Sequence, residues 1–283
     1  MQIFVNEMPL KRRIAYLKSK GKTIGFVPTM GALHKGHLSL IEKSNFRCDI
    51  TVCSIFVNPT QFNNKEDLVN YPITIEEDIS KLKNANTDIL FKPTERVIYP
   101  PDTNLDVEID LEGLDNLWEG KFRPGHFKGV VQVVKRLLDL VQPDFLFMGQ
   151  KDFQQFTIIN MMLEKLNMAT KLIVVPIYRE KDGLAMSSRN IRLTKKFREK
   201  STILYKSLVF AKSVYGVKTP EEIESTAIRM IKDQGLNPEY FKIVNGETLR
   251  SVVSVSDNFV IAIVAAWAGN VRLIDNIIIK HEK

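Results

Sequence analysis

The run Phe26-Val27-Pro28-Thr29-Met30-Gly31-Ala32-Leu33-His34-Lys35-Gly36-His37 sets two histidines three residues apart around a lysine and a glycine, directly after an apolar stretch. Thr23 to Val27 reads as a buried strand, Pro28 and Gly31 as the turn that leaves it, and Leu38, Ile41 and Glu42 as the opening of an amphipathic helix. His34 and His37 then stand near that helix's N-terminus. Backbone N–H groups and the positive end of the helix dipole favour an anion there, and imidazole donors three residues apart reach its oxygens together. Gly36 lets a nucleotide approach the backbone with no Cβ in the way. Two other readings of the same residues stay open: a His-x-x-His pair for a transition metal, for which no nearby Cys or carboxylate completes a set, and ordinary cap and surface histidines.

Such residues need a scaffold. Apolar runs at Thr23 to Val27, Ile50 to Val57, Asp88 to Phe91, Phe145 to Met148 and Leu172 to Ile177 alternate with helical patterns, which argues for a parallel sheet. Thr74-Ile75-Glu76-Glu77 has the pattern of a capping box, and Val131, Val134, Leu138 and Val141 mark a helix stopped by Pro143. Ligands of open α/β sheets sit beyond the carboxyl ends of the strands. Four strand exits carry polar groups: the histidine segment, Asn58-Pro59-Thr60-Gln61-Phe62, Gly149-Gln150-Lys151-Asp152 with Gln154-Gln155, and Met186-Ser187-Ser188-Arg189-Asn190. After Pro176 come two helical stretches, Phe197 to Tyr215 and Pro220 to Gln234, and shorter strand-like runs near Tyr240 to Val244 and Asn258 to Ala265. The expected architecture is α/β: a Rossmann-like parallel-sheet nucleotide-binding domain over 1–176 and a smaller C-terminal α/β domain over 177–283. Lys181-Asp182-Gly183 is the expected hinge, with the second domain closing over the nucleotide.

Composition narrows the class. A chain of 283 residues with 44% hydrophobic and 26% charged residues folds rather than remaining disordered. Two cysteines, Cys48 and Cys53, predict reduced thiols in a cytoplasmic protein and no disulfide framework. Met1 to Arg13 lacks the apolar core of a secretory signal, and the longest apolar run, Phe259 to Ala268, is short of the ~20 residues of a membrane helix. That run reads as a buried strand entering a turn at Gly269. The formal charge of +7 is scattered along helices as solvated faces, so neither nucleic acid nor a membrane is an expected partner.

Read together, the histidine segment and Met186-Ser187-Ser188-Arg189-Asn190 resemble the paired signatures of the nucleotidylyltransferase superfamily, and within it the pantothenate synthetase family. Phe56-Val57-Asn58-Pro59-Thr60-Gln61-Phe62, Arg123-Pro124-Gly125-His126-Phe127, Lys151-Asp152-Phe153-Gln154-Gln155 and Arg272-Leu273-Ile274-Asp275-Asn276 extend the resemblance over nearly the whole chain. It implies condensation of pantoate with β-alanine, driven by ATP with Mg²⁺, through a pantoyl-adenylate, by a homodimer. It also implies roles. His37, His34 and Lys151 would be catalytic; Met30, His34, His37, Gly149, Lys151, Asp152, Tyr178, Met186, Ser187, Ser188 and Arg189 would hold ATP. Gln61 and Gln155 would bind pantoate and β-alanine, and Glu77 and Asp78 would hold the metal. Ile73, Gln150 and Trp267 depart from the family pattern, where arginine, glutamate and a basic residue are usual.

The residues taken alone leave rivals. A nucleotidyltransferase that moves AMP or CMP to a phosphate needs no amine. An aminoacyl-tRNA synthetase fragment shares the histidine motif, but the remaining sequence offers no anticodon-binding module. A basic RNA-binding protein on a vestigial nucleotide fold would show salt-sensitive RNA affinity without ATP turnover.

Overall fold

The computed structural model describes residues 1–101, 103–252 and 257–282. The chain divides into two compact units, Met1–Gly149 with Gln155–Pro176, and Gln150–Gln154 with Ile177–Lys283. The first unit runs β1 (Gln2–Phe4), α1 (Glu7–Ser19), β2 (Ile24–Thr29), α2 (Lys35–Arg47), β3 (Ile50–Ile55), α3 (Lys65–Val69), α4 (Ile75–Asn84), β4 (Ile89–Phe91) and α5 (Glu95–Ile98). It continues with α6 (Trp118–Phe122), α7 (His126–Val141), β5 (Phe145–Gly149), α8 (Phe153–Lys165), whose first two residues cluster with the second unit, and β6 (Lys171–Val175).

Six strands form one parallel sheet in the order β1-β4-β3-β2-β5-β6. The order reverses between β2 and β5, since β3 lies on one side of β2 and β5 on the other. Crevices at such reversals are where open sheets bind ligands. The core explains the near-continuous apolar strands: Phe26, Val27, Val52, Leu90, Leu146 and Phe147 are buried, as parallel strands covered on both faces must be.

Pro28 lies inside β2 rather than in the turn beyond it, paired in register with Ser54. Thr29 O accepts Phe56 N–H at 3.0 Å, so the Thr29 backbone faces β3 and that of Pro28 faces the β5 side. On that side the register runs only Gly25↔Phe145 and Phe26↔Leu146, so the missing N–H costs no ladder bond. The capping box expected at Thr74 does not form. Thr74 heads α4 at φ −132° and ψ 48°, its Oγ1 is buried without a partner, and Glu77 turns to Lys81 instead. A short edge strand, β1, escaped the sequence reading because three residues carry no periodicity.

The second unit contains α9 (Lys195–Lys200), α10 (Ile203–Val214), α11 (Pro220–Asp233), β7 (Asn237–Asn245), β8 (Phe259–Ala268) and β9 (Val271–His281). The strands form an antiparallel sheet, β7-β8-β9, with Gly269 at φ +62° in the tight β8–β9 connection. Leu204, Leu208, Ile223 and Ile231 from α10 and α11 pack on Phe241, Ile243 and Val264 of that sheet. At α11 a reciprocal cap does form: Glu222 Oε2 accepts Thr219 N–H at 2.9 Å and Thr219 Oγ1 accepts Glu222 N–H at 3.3 Å. Lys181-Asp182-Gly183, expected as the hinge, is instead the tip of a small hairpin inside the second unit. Glu180 N–H donates to Leu184 O at 2.8 Å, and Asp182 is held by Arg198 at 2.7 Å. Among the described residues no helix is long and apolar enough to cross a membrane.

Both cysteines are outside disulfides. Burial pushes the Cys53 thiol up to about 12, and burial with the Asp144 charge pushes Cys48 to about 11. Because the unfolded thiols ionise first, at ~8.5, these two groups weaken the fold as pH rises above that value. At pH 8 iodoacetamide should label Cys53 in urea-unfolded chain and leave it unlabelled in native chain, read by mass spectrometry. Rapid native labelling would contradict the packing of β3.

Candidate active site

The turn leaving β2 uses left-handed backbone twice, Gly31 at φ +86° and Ala32 at φ +47°. Glycine takes that geometry at no steric cost, whereas alanine needs support. Asp78 supplies it. Its Oδ2 accepts Ala32 N–H at 2.8 Å and its Oδ1 accepts Leu33 N–H at 2.7 Å, and the carboxylate is 1% exposed. Lys81, one turn later on α4, donates to Leu33 O at 2.9 Å. One helix therefore fixes three backbone groups of the turn.

The chain then enters α2 with His34 at the N-cap. Gly36 N–H donates to His34 Nδ1 at 3.1 Å, and His34 N–H donates to His37 Nδ1 at 3.3 Å. The two rings lie 4.0 Å apart. Both Nδ1 atoms accept, so each neutral ring carries its proton on Nε2. The histidines thus cap the helix and are set as Nε2 donors by the same bonds.

Gln61 closes a single 3-10 turn, Pro59–Gln61, after β3. Its Nε2 donates to Met30 Sδ at 2.9 Å, which brings the β3 exit against the β2 exit. Nearly all buried polar groups are hydrogen-bonded, and the support for Gln61 is built that way. Asn58 Nδ2 donates to Gln61 Oε1 at 3.3 Å and to Gly129 O at 3.2 Å, while Tyr99 OH donates to Asn58 Oδ1 at 2.7 Å. His126 Nδ1 lies 2.8 Å from Gln61 O and is buried at the head of α7. Gly129 permits the approach: a Cβ there would stand 2.5 Å from Thr60 O and 2.9 Å from Gln61 N. Asn58 and His126 lie in sequence motifs that assign them no role, and nothing along the sequence singles out Tyr99. Their signal would have been polar residues in runs that must be buried. Gln155 is half-buried near the start of α8, in the same unit.

Gly149 ends β5, and the next five residues, Gln150–Gln154, cluster with the second unit. There Lys151 Nζ pairs with Asp152 Oδ1 at 3.3 Å, the lysine 16% exposed and the aspartate 47%. Tyr178 O accepts Met186 N–H at 3.0 Å, so the backbone of Tyr178 is tied to the start of the Met186–Arg189 segment. Ser187 caps the 3-10 helix Ser188–Arg192 by accepting Arg189 N–H at 3.3 Å, and Ser188 is buried.

Glu77 and Asp78 do not fit a divalent cation. Asp78 gives each oxygen to a backbone N–H, and Glu77 projects into solvent 3.5 Å from Lys81. Among the described residues no cluster of three His, Cys, Asp or Glu side chains could hold a metal. The departures from pattern are also placed: Ile73 is exposed, Gln150 bonds Asn276, and Trp267 Nε1 donates to Glu239 Oε1 at 2.5 Å.

A family model described as Pantoate-beta-alanine ligase matches residues 2–278. The chain belongs to the pantoate-beta-alanine ligase family. It is therefore a ligase. Among curated members of this ligase family it is 44% identical to the pantothenate synthetase of Bacteroides thetaiotaomicron, with 98% of each chain covered. To that of Fervidobacterium nodosum it is 44% identical, with 97% of each covered. Among solved ligases, the pantothenate synthetase of Thermus thermophilus matches with a TM-score of 0.93 at 36% identity, covering 99% of this chain and 100% of that one. The pantoate-beta-alanine ligase of Francisella tularensis, complexed with beta-gamma ATP and beta-alanine, matches with a TM-score of 0.83 at 37% identity, covering 98% and 97%.

Asp78→Asn should lower stability by about 1–3 kcal/mol in urea unfolding with EDTA present, since an amide N–H then faces a backbone N–H. A carboxylate whose task is to hold metal would give the opposite sign, because without the ion its removal relieves repulsion from Glu77. A more stable Asp78→Asn in EDTA would refute the clamp.

Proposed function

We propose that the chain joins pantoate to β-alanine at the expense of ATP, through a pantoyl-adenylate, releasing pyrophosphate and then AMP. The observation that carries this reading is the Gln61–Met30 contact at the exits of β3 and β2. It sets an amide suited to hydroxyls and a carboxylate beside a turn suited to phosphates, next to the strand-order reversal. The Francisella tularensis relative, complexed with beta-gamma ATP and beta-alanine, supports two of the substrates.

A carboxylate resists attack by an amine because oxide is a poor leaving group, so the acid must first become a mixed anhydride. In the first half-reaction the pantoate carboxylate, held by Gln61 and Gln155, attacks the α-phosphorus of ATP and pyrophosphate departs. His37 and His34 donate from Nε2 to phosphate oxygens, assisted by Lys151, Ser187, Ser188 and Arg189. Met30, Gly149, Asp152, Tyr178 and Met186 complete the nucleotide's surroundings. In the second half-reaction the neutral amine of β-alanine attacks the acyl carbon, AMP leaves, and the amide forms. No covalent enzyme intermediate is needed. Mg²⁺ enters this reading only on the triphosphate itself, because Glu77 and Asp78 give it no seat and no step runs through them. A cytoplasmic homodimer belongs to the same reading, as the family resemblance implies.

Pantoate with MgATP should release about one equivalent of pyrophosphate per site and stall until β-alanine is added. Continuous release without an amine, or AMP transfer to a phosphate acceptor, would refute the proposal in favour of a plain nucleotidyltransferase. Gly129→Ala pushes the Gln61 backbone aside and should weaken pantoate by about tenfold or more while leaving ATP-analogue affinity near wild type, read by calorimetry. A collapse of ATP-analogue affinity with pantoate unchanged would move Gln61 to the nucleotide.

A further inference from the structure

Lys151 directly follows the parallel sheet in sequence, yet its backbone is held by the C-terminal sheet. Asn276, on β9 and 2% exposed, donates from Nδ2 to Gln150 O at 3.0 Å and to Lys151 O at 2.9 Å. Gln150 Nε2 returns a bond to Asn276 Oδ1 at 3.1 Å. The amide of Asn276 is fully used on two consecutive residues, one of them Lys151.

The same residue meets the hairpin that lies between Tyr178 and Met186, two residues of the proposed nucleotide site. Arg179 Nη2 donates to Asn276 O at 3.1 Å and to Asp275 Oδ1 at 3.0 Å, while Arg179 Nη1 donates to Asp275 Oδ2 at 2.6 Å. Asp275 Oδ1 also accepts Asn276 N–H at 2.8 Å. The Arg179 guanidinium lies 4.2 Å above the Tyr205 ring and donates to Gly183 O at 3.0 Å. Burial pushes the Asp275 carboxyl up, and the Arg179 fork pulls the other way. Arg179 is bridged to Ala185, one residue before Met186. Three stretches far apart in sequence, Gln150-Lys151, Arg179 to Ala185 and Asp275-Asn276, are thus tied by buried and partly buried polar bonds.

We propose that Asn276 is a positioning residue for adenylation, setting the place of Lys151 through the Gln150 and Lys151 carbonyls. The assignment rests on the reading of Lys151 as a donor to the phosphates. Such carbonyl clamps leave little slack: the two bonds fix a peptide on either side of the Lys151 Cα, and with it the direction in which the side chain departs. A donor that stabilises charge only in the transition state loses most of its effect when displaced by about 1 Å.

The test is a double-mutant cycle on the full chain, with single-turnover pyrophosphate release from pantoate and MgATP as the readout. Asn276→Asp keeps the shape and replaces the donor by an acceptor facing two carbonyls. It should slow release by about 10²-fold. In a Lys151→Ala background the same change should alter the rate by no more than about twofold, because the group it positions is gone. An equal loss in both backgrounds would assign Asn276 to general stability, and a wild-type rate in Asn276→Asp would remove it from the site. Should the aspartate variant fail to fold, Asn276→Ala is read in the same cycle, with the same two outcomes deciding. If wild-type enzyme itself released no pyrophosphate, the proposed chemistry would fail; if only the cycle were additive, the chemistry would stand and the role of Asn276 would fall.

Discussion

Every backbone hydrogen-bonding group that leaves water must find a partner, and the site around β2 follows from how this chain meets that demand. Pro28 has no N–H to offer, and its backbone faces the side where β2 stops pairing with β5. Beyond Phe26 the two strands share no further register pair, at the place where the strand order reverses. The chain then turns through Gly31 and Ala32, whose next two N–H groups would be orphaned without Asp78. The proline and the carboxylate answer the same constraint from opposite directions: one removes a donor where no acceptor waits, and the other brings an acceptor to two donors.

That constraint also sets the electronics of the histidines. A helix N-terminus leaves its first N–H groups unpaired, and here two imidazoles take the place that serine, threonine or aspartate usually fill. By accepting at Nδ1, His34 and His37 are committed to donating from Nε2. Protonating either ring would remove the acceptor that the helix cap uses, so cap and tautomer are one device. The glutamine after β3 is governed by the same logic at longer range. The buried Asn58 and His126 and the half-buried Tyr99 are each bonded to the Gln61 segment or to another of the three.

Much of this was legible in order of residues. Five of the six strands of the first unit's sheet are readable in the sequence because parallel strands of such a sheet are apolar runs, and α7 because its apolar positions recur at helical spacing. The histidine turn, the β3 and β5 exits and Met186–Arg189 were readable because each follows a strand pattern and carries polar types in a fixed spacing. The third C-terminal strand was seen only as the motif Arg272–Asn276, since its mixed polar pattern gives weak periodicity. The cap at Thr74 was misread because a Ser/Thr-x-x-Glu pattern requires an entry dihedral that the local chain does not take, whereas Thr219, followed by Pro220, does take it.

The sequence by itself determined the class of fold, the order of the longer elements of the first unit and the residue types able to handle phosphate, carboxylate and hydroxyl groups. These depend on local periodicity, on turn residues and on side-chain chemistry, all of which are properties of neighbours along the chain. Only the tertiary structure decided what Asp78 and Asn276 do. An acid at the start of α4 reads as a dipole partner or a metal ligand until Ala32 and Leu33, more than forty residues earlier, are seen to donate to it. An asparagine on the last strand carries no hint that it grips Gln150 and Lys151, separated from it by 126 and 125 positions. Hydrogen bonds of that range depend on how strands and helices pack, and packing is set by the whole chain at once.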